Sequence, residues 1–518
     1  MRLRAADVRV QIQRMLAAIR PRLPLVLLGA IAALGLEPFG LAPVTVLALG
    51  VGLWRCMRAA NVRAVMADGA ALASGYFTVA MHWIVFPFLV APLATGWMAP
   101  FALLLMVAGL ALFWAVPLGL AWRLGRGLAG RMVWAALLLT VADLLRAHVL
   151  TGFPWAVVGQ VWAGWGLGQA AALVGMHGLT LVTLLAVALA AGLGQRKGWV
   201  LGIGVSAVLL LAGEGAGRWS MARPLADAGP VVRLVQPNVP QSEKWNPERG
   251  REFLDRLLML TRSPLGAEGD PEVVIWPETA VQPLLGNSVN TRAVIARAAG
   301  GRPVLLGMNR REGARFFNAM VLLDSAGAVS AVYDKSHLVP FGEYLPLGEW
   351  LKAFGLHGLA ASEGGGYTAG PAGGSLEVPV LGRARPLICY EGIFPEEISA
   401  SNLRAMVLIT NDAWFGPSAG PRQHLAQARL RAIEQGVPMI RVANTGVTAM
   451  IDPYGRIVGE IGMGQQGVID VAVPAALGWV PPYARLGDWL VLAFITVGII
   501  LLLAANARKM IDQRREAP

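Results

Sequence analysis

The sequence Pro386-Leu387-Ile388-Cys389-Tyr390-Glu391 is a short apolar run that ends in a cysteine and then turns polar. The run predicts a buried β-strand with a thiol at its C-terminal end. A free cysteine most often only fills space in a protein core. A thiol at a strand end beside ionisable residues is also where a protein places a nucleophile. Cys389 is therefore our candidate nucleophile, whereas the other cysteine, Cys56, is interpreted as a packing residue.

Two further polar groups follow predicted strands upstream. Glu278 comes just after the strand-like run 272–275, and Lys335 comes just after the run 328–333. Open α/β folds build their sites at the C-terminal ends of strands. A carboxylate, an amine and a thiol are therefore each expected at or just past the C-terminal end of a strand, at equivalent places in the fold.

Longer motifs surround these three residues, namely Trp276-Pro277-Glu278-Thr279, residues 335–346, Cys389-Tyr390-Glu391 and residues 411–416. In these motifs the chain resembles the apolipoprotein N-acyltransferase family, the membrane-embedded branch of the nitrilase (carbon-nitrogen hydrolase) superfamily. The resemblance covers nearly the whole chain, because that family carries membrane helices on both sides of its nitrilase domain. It implies an αββα sandwich for the extramembrane part.

The resemblance also implies a role for each member of a Glu-Lys-Cys triad. Glu278 would be the general base that takes the thiol proton. Lys335 would stabilise the thiolate and then the oxyanion, together with a backbone N–H near Tyr390. Cys389 would carry the acyl group as a thioester.

A second group of residues is expected to support the triad or line the substrate cleft. For the two carboxylates of this group, an ordinary ion pair with Arg or Lys is the alternative role, and for the aromatic residues it is a place in the core. The group comprises Glu343, Tyr390, Glu391, Trp245, Asn411, Trp414 and Phe415.

The composition points to a membrane protein, because 55% of the 518 residues are hydrophobic and 15% are charged. About eight spans are predicted, of which the first two are shorter than the ~20 residues that a full crossing needs. A signal peptide is rejected for the basic N-terminus because further apolar runs follow at once. The predicted spans lie at 23–36, 42–54, 64–86, 96–122, 132–147, 167–193, 199–215 and 486–505.

Basic residues cluster at alternate ends of these spans, and the loops 37–41, 87–95 and 148–166 contain no Lys or Arg. The positive-inside rule then predicts cytoplasmic termini and a periplasmic segment between spans seven and eight. The net charge of +12 is therefore interpreted as an orientation signal, with no nucleic-acid partner.

We divide the chain into N-terminal membrane helices at 1–217, a periplasmic nitrilase-like domain at 218–484, and a last membrane helix with a basic tail at 485–518. The glycine-rich segment 341–374 is interpreted as a lid that touches lipid through 350–356, and a disordered insertion is the alternative. Strands are predicted at 231–236, 272–275, 303–307, 319–323, 329–333, 385–389, 405–410, 439–443, 447–451 and 467–471, and helices at 247–262, 290–299, 394–402 and 422–435.

Few ionisable residues lie within the predicted spans, and most of them fall near span ends, where structural or interfacial roles are expected. They include Asp68, His82, Asp143 and His177, and His148 directly follows the end of the span 132–147. The six histidines of the chain show no metal-ligand spacing. Neither a metal nor another cofactor is expected.

The predicted reaction is a two-step acyl transfer in the bacterial inner membrane. A phospholipid first donates a fatty acyl chain to Cys389. The N-terminal α-amine of diacylglyceryl-cysteine on an apolipoprotein then accepts the chain, which completes this step of lipoprotein biosynthesis. A membrane-tethered amidase acting on a small substrate is the enzymatic alternative. A transporter with a receptor-like nitrilase domain is disfavoured, because all three triad residues are present and the spans show no broken repeat pair.

Overall fold

The computed structural model describes residues 20–226, 229–266, 268–346, 366–398 and 402–515. Its N-terminal half is helical and apolar, and one long apolar helix follows the second half. Several of these helices end at a glycine or at a basic residue, which interrupts the hydrophobic run. The helices of this membrane part are α1 (Leu23–Ala32), α2 (Ala42–Met57), α3 (Val62–Ala80), α4 (Ala99–Leu124), α5 (Gly127–His148), α6 (Ala171–Lys197), α7 (Trp199–Met221) and, after the second half, the helix Trp489–Arg515.

Within the described residues, five helices are long and apolar enough to cross a membrane, and a bent pair makes up to six. The bent pair corrects one prediction. The predicted span 64–86 is interrupted, because α3 ends at Ala80 and a tighter helix, His82–Leu89, continues at an angle of 47°. Pro87 lies within this second helix, where it removes a backbone donor. α1 and α2 are shorter than a full crossing, as the sequence predicted.

Three ionisable side chains of the predicted spans have charged partners inside the protein. Asp68 lies 2.9 Å from Arg22, and Asp143 lies 3.0 Å from Arg146. His177 Nδ1 lies 3.0 Å from Asp488, at the start of the last membrane helix. Such pairing reduces the cost of burying a charge in an apolar environment.

The second half consists mainly of strands, which are β1 (Val231–Gln236), β2 (Val273–Ile275), β3 (Val304–Glu312), β4 (Arg315–Leu323), β5 (Val329–Asp334), β6 (Leu376–Val378), β7 (Gly382–Ile388), β8 (Ala405–Thr410), β9 (Met439–Ala443), β10 (Thr448–Ile451), β11 (Ile457–Ile461) and β12 (Gly467–Ala472). They form two six-stranded sheets, in the orders β12-β1-β2-β3-β4-β5 and β11-β10-β9-β8-β7-β6. β1, β2 and β3 are mutually parallel in the first sheet, as are β7, β8 and β9 in the second.

The sheets pack face to face through alternate apolar side chains such as Ile275 and Leu305 from one sheet and Ile388 and Ile409 from the other. The outer face of the first sheet is covered by α8 (Gly250–Thr261) and α9 (Val289–Ala298). α10 (Ala419–Gln435) covers the second sheet. This order of layers is an αββα sandwich, and the predicted fold class is confirmed.

Ten predicted strands correspond to observed ones, but β6 and β11 were not predicted. Both lie at or near the edge of the second sheet and are short or partly exposed, so their apolar pattern is weak. The predicted helix 394–402 is wrong for its described part, because only the short turn Pro395–Ile398 forms there. Residues 399–401 and the apolar stretch 350–356 of the predicted lid lie outside the described residues.

The helix α6 is broken near its start. Gly175 has φ 64° and ψ −177°, so the chain changes direction there before the long part of the helix begins. The next amide, Met176 N–H, donates to Glu434 on α10 at 3.1 Å. A Cβ at position 175 would lie 2.1 Å from the ring of Tyr483. The break thus joins the membrane part to the sandwich.

Candidate active site

The thiol of Cys389 lies on a sharp turn between β7 and a short helical turn that spans Cys389–Ile393. Cys389 has φ 49°, a left-handed conformation that costs a residue with a Cβ about 1–2 kcal/mol. The side chain is buried at 8% exposure. Strain of this kind is common where a nucleophile has to leave the plane of its strand.

Glu391 holds this turn against the loop that carries Lys335. Its Oε2 accepts from Ile388 N–H at 2.7 Å, and its Oε1 accepts from Ser336 N–H at 2.7 Å and from the Tyr333 hydroxyl at 2.8 Å. These partners are backbone amides and hydroxyl groups. The alternative role as an ordinary Arg or Lys ion-pair partner therefore does not describe Glu391.

Lys335 directly follows β5 and is 1% exposed. Its Nζ lies 2.9 Å from Glu343 Oε1 and 3.7 Å from Glu278 Oε1. Its backbone is held on both sides, because Lys335 N–H donates to Asn318 C=O and Lys335 C=O accepts from Gly370 N–H, each at 2.8 Å. The ammonium thus lies between two carboxylates on a fixed backbone.

Glu278 lies three residues after β2, and both of its carboxylate oxygens have donors. Oε1 accepts from Asn318 Nδ2 at 2.7 Å, and Oε2 accepts from Asn411 N–H at 2.8 Å. Its backbone passes close to Gly307, where a Cβ would lie 2.6 Å from Glu278 Cα. Glycine at 307 therefore allows the carboxylate to reach the sheet edge.

Burial and charge act on each titratable group of the site. Burial raises the pKa of the Cys389 thiol, the Glu278 carboxylate raises it further, and Lys335 only partly opposes them. The thiol is therefore protonated at rest and needs a base. Burial alone would lower the pKa of Lys335, but Glu343 and Glu278 outweigh it and hold that pKa above its ordinary value.

The sequence did not point to Lys244, a second buried amine beside the site. Its Nζ donates to the backbone carbonyl of Glu278 at 3.1 Å. Burial lowers the pKa of Lys244 to about 8, although the negative charge of Glu278 opposes that shift. Asn318 was also missed, although its amide contacts both Glu278 and Glu343. Polar residues within a strand or a loop give no local signal of such long-range contacts.

The remaining predicted site residues divide into two groups. Glu343 lies beside the triad, and its carboxylate accepts hydrogen bonds from Lys335 Nζ and from Val339 N–H. Asn411 contacts Glu278 through its backbone and holds Gln241 and Asn444 through its side chain.

The aromatic members lie farther out. Trp245 is 44% exposed and lines a small open pocket beside Glu278. Trp414 is half-buried. Phe415 packs against Trp83 of the membrane part with ring centres 4.7 Å apart, so it lies at the junction between the two halves.

A loop from the membrane part approaches the Cys389 turn. The Tyr390 hydroxyl donates to Gly152 C=O at 2.9 Å, and His337 Nε2 lies 2.8 Å from Thr151 C=O. Arg146 holds the same loop by donating to the carbonyls of Phe153 and Trp155. The turn that bears Cys389 is therefore tied directly to the membrane helices.

Comparison with known proteins gives a consistent result. The Carbon-nitrogen hydrolase family profile matches residues 232–478, and that of the Apolipoprotein N-acyltransferase N-terminal domain matches residues 28–189. An apolipoprotein N-acyltransferase of Caulobacter vibrioides is 38% identical over 90% of this chain and 92% of its own length. One of Rhodopseudomonas palustris is 37% identical, with 92% and 93% covered. An amidase from Nesterenkonia sp. is a solved structure with 17% identity and a TM-score of 0.35 over 49% of this chain and 94% of its own.

Proposed function

This chain belongs to the apolipoprotein N-acyltransferase family, and from that membership we propose that it moves a fatty acyl chain from a membrane phospholipid through a Cys389 thioester to an apolipoprotein. The chain is an enzyme with a carbon-nitrogen hydrolase domain, and the names of its relatives support lipoprotein N-acylation. To this lipoprotein N-acylation the proposal adds a thioester intermediate and a phospholipid as the acyl donor.

One observation carries the proposal. A hydrogen-bonded carboxylate and a doubly paired ammonium follow strands of the first sheet, and both act electrostatically on a buried thiol that follows β7 of the second sheet. The turn that bears the thiol is bonded to a membrane-side loop. A soluble substrate does not require such an attachment. An acyl donor drawn from the bilayer does, because its ester lies at the headgroup level.

The first half-reaction begins when Glu278 takes the proton of the Cys389 thiol and the sulfur attacks the ester carbonyl of the phospholipid. Lys335 and the Tyr390 N–H stabilise the oxyanion. The C–O bond to glycerol then breaks, and Glu278 returns the proton to the leaving alkoxide. The products are a lysophospholipid and an S-acyl Cys389.

In the second half-reaction, the neutral α-amine of the acceptor attacks the thioester carbonyl. The C–S bond breaks, and Glu278 carries the amine proton to the departing thiolate, which restores the starting state. The acceptor leaves as an amide. Between the two steps the site has to exclude water, because hydrolysis would release the acyl chain as a fatty acid.

The place of the reaction follows from the helices. The apolar helices and the family membership fit an inner-membrane protein. The positive-inside pattern favours cytoplasmic termini and a periplasmic sandwich. The triad then works at the outer leaflet, where exported apolipoproteins arrive.

The decisive experiment incubates the purified full-length chain with phospholipid vesicles and records the intact protein mass. We expect an added mass of one acyl group, located on the peptide that contains Cys389, together with released lysophospholipid. Addition of a diacylglyceryl peptide should remove the adduct and give an N-acylated peptide. Cys389→Ala should give neither adduct nor product.

The membrane-tethered amidase predicts a different outcome. An amidase would show no adduct with phospholipid and would release ammonia from small amides through the same triad. N-acylation by the Cys389→Ala variant would also overturn the proposal, because no thioester is then possible.

A further inference from the structure

A buried histidine lies behind the nucleophile and contacts its backbone. His424 is 1% exposed on α10, and its Nε2 lies 3.2 Å from the carbonyl oxygen of Cys389. Since that oxygen is an acceptor, Nε2 carries the hydrogen and donates it. The contact joins α10 to the turn that presents the thiol.

The other side of the His424 ring is held by a charged network. Nδ1 lies 3.0 Å from Asp412 Oδ1 and 3.1 Å from Arg441 Nη2. Asp412 also accepts from Thr410 Oγ1 at 2.8 Å and from Arg441 Nη2 at 2.5 Å. Asp412 and Arg441 are fully buried, so the network has a fixed geometry.

The charge state of this network is defined by its partners. Burial alone would raise the pKa of Asp412, but Arg441 and His424 outweigh it and hold that pKa below its ordinary range. Asp412 therefore remains a carboxylate at neutral pH and keeps the ring of His424 in one orientation.

The carbonyl of Cys389 and the N–H of Tyr390 belong to the same planar peptide and point in opposite directions. A group that fixes the carbonyl therefore also fixes the direction of the N–H. The left-handed φ of Cys389 makes this control necessary, because the turn is not held by a favourable backbone conformation.

We propose that His424 is a positioning residue, which holds the Cys389–Tyr390 peptide so that the Tyr390 N–H points at the oxyanion formed during acyl transfer. This inference rests on the proposed thioester mechanism. In that mechanism His424 touches neither the substrate nor the sulfur. His424 acts only through the backbone of Cys389. Asp412 and Arg441 keep the ring in place.

Two substitutions separate this role from a purely structural one. In His424→Gln the amide nitrogen takes the place of Nε2 and still donates to the Cys389 carbonyl, although the contact with Asp412 is lost. In His424→Asn the amide takes the place of Nδ1, so the contact with Asp412 remains and the donor to Cys389 is lost. Each variant therefore keeps the one contact of His424 that the other variant loses.

Two rates are measured for each variant in the full-length chain. The first is single-turnover acylation of Cys389 by phospholipid, which forms an oxyanion. The second is alkylation of Cys389 by iodoacetamide, a displacement at carbon that forms no oxyanion. We expect His424→Asn to slow acylation about 10²-fold, as loss of an oxyanion donor does. His424→Gln should stay within about tenfold of the wild type, and alkylation should change little in either variant.

Several outcomes would overturn the inference. One is acylation by His424→Asn that is as fast as in the wild type. Another is alkylation that slows as much as acylation, because this would indicate general damage to the site. If His424→Asn shows no cooperative thermal unfolding, the test rests on His424→Gln alone. A folded His424→Gln that has lost acylation overturns the inference, and a folded His424→Gln that retains acylation supports it. A wild type that forms no acyl adduct would instead refute the proposed function, so the two failures are distinguishable.

Discussion

The Nζ atom of Lys335 lies closer to Glu343, at 2.9 Å, than to Glu278, at 3.7 Å. Glu343 is therefore the main counterion of the buried ammonium. In the proposed mechanism Glu343 neutralises Lys335, so that the Glu278 carboxylate is left to act on the thiol. The two carboxylates have different hydrogen-bond partners, and their substitution should have different effects.

Glu343→Gln should lower the pKa of Lys335, because burial then acts against only one nearby carboxylate. The alkaline limb of the acylation rate should move to lower pH, since Lys335 then loses its proton earlier. Leaving a buried charge poorly paired also costs about 3–5 kcal/mol of stability. Acylation rates across pH and thermal unfolding check both effects. Glu343→Asp keeps the charge, so its alkaline limb and its melting temperature should lie between those of the wild type and those of Glu343→Gln. An unmoved alkaline limb in Glu343→Gln would contradict the role of Glu343 as the main counterion.

Glu278→Gln should slow thioester formation about 10²–10⁴-fold, because the variant has no general base. The new amide nitrogen also has to face a donor, since Asn318 and Asn411 both donate to this side chain. Intact mass after exposure to phospholipid measures the loss. The exposed Glu272→Gln is the matched control and should react like the wild type. Undiminished adduct in Glu278→Gln would remove Glu278 from the base role.

Gly152→Ala should destabilise the loop that holds the Cys389 turn. Gly152 has φ 83°, and a Cβ there would lie 2.1 Å from Ala147 C=O and 2.9 Å from Phe394. We expect a lower melting temperature and slower acylation, because Tyr390 loses its carbonyl partner. Gly109→Ala is the control, since nothing lies within 4 Å of its Cβ position. Equal melting temperatures for the two variants would show that the loop accommodates the methyl group.

Lys244→Met should change the pH dependence of stability. The pKa of Lys244 is lowered from 10.5 to about 8, so between these values the unfolded chain binds more protons than the folded one. Wild-type stability therefore gains with rising pH in this window, by up to about 3 kcal/mol. The melting temperature of Lys244→Met relative to the wild type should be highest below about pH 8 and fall toward pH 10.

An exposed residue that does not titrate in this window supplies the control for Lys244. Arg251 has a side chain that is 92% exposed. The difference between Arg251→Met and the wild type should be flat across the same pH range. A flat difference for Lys244→Met as well would show that its pKa is not lowered.

The sheets were largely predictable from the sequence because their parallel strands are continuous apolar runs. β1, β8 and β9 have the predicted limits, and Cys389, which was predicted as the last residue of its strand, directly follows β7. Edge strands were less predictable, since they bury only alternate residues. The break at Gly175 was not predicted because the apolar run continues across it and hides the change of direction.

For the site, candidates for the chemistry could be named from the sequence, but most of the residues that hold them in place could not. Glu391 was expected to support the triad or line the substrate cleft, and its carboxylate fixes two backbone segments. His424 and Arg441 gave no signal, because their partners lie far away in sequence and depend on how β8, β9 and α10 pack. Long-range hydrogen bonds between polar side chains have no periodicity that a single sequence displays.

The broken start of α6 has a practical consequence for protein engineering. The amide of Met176 at this start is capped by Glu434, and Gly175 leaves room for the Tyr483 ring. Both partners, Glu434 and Tyr483, belong to the other half of the chain. A hybrid made by fusing the membrane helices of one relative to the sandwich of another would combine a helix and a cap from different parents. Gly175, Glu434 and Tyr483 should therefore be transplanted as one unit in any such chimaera.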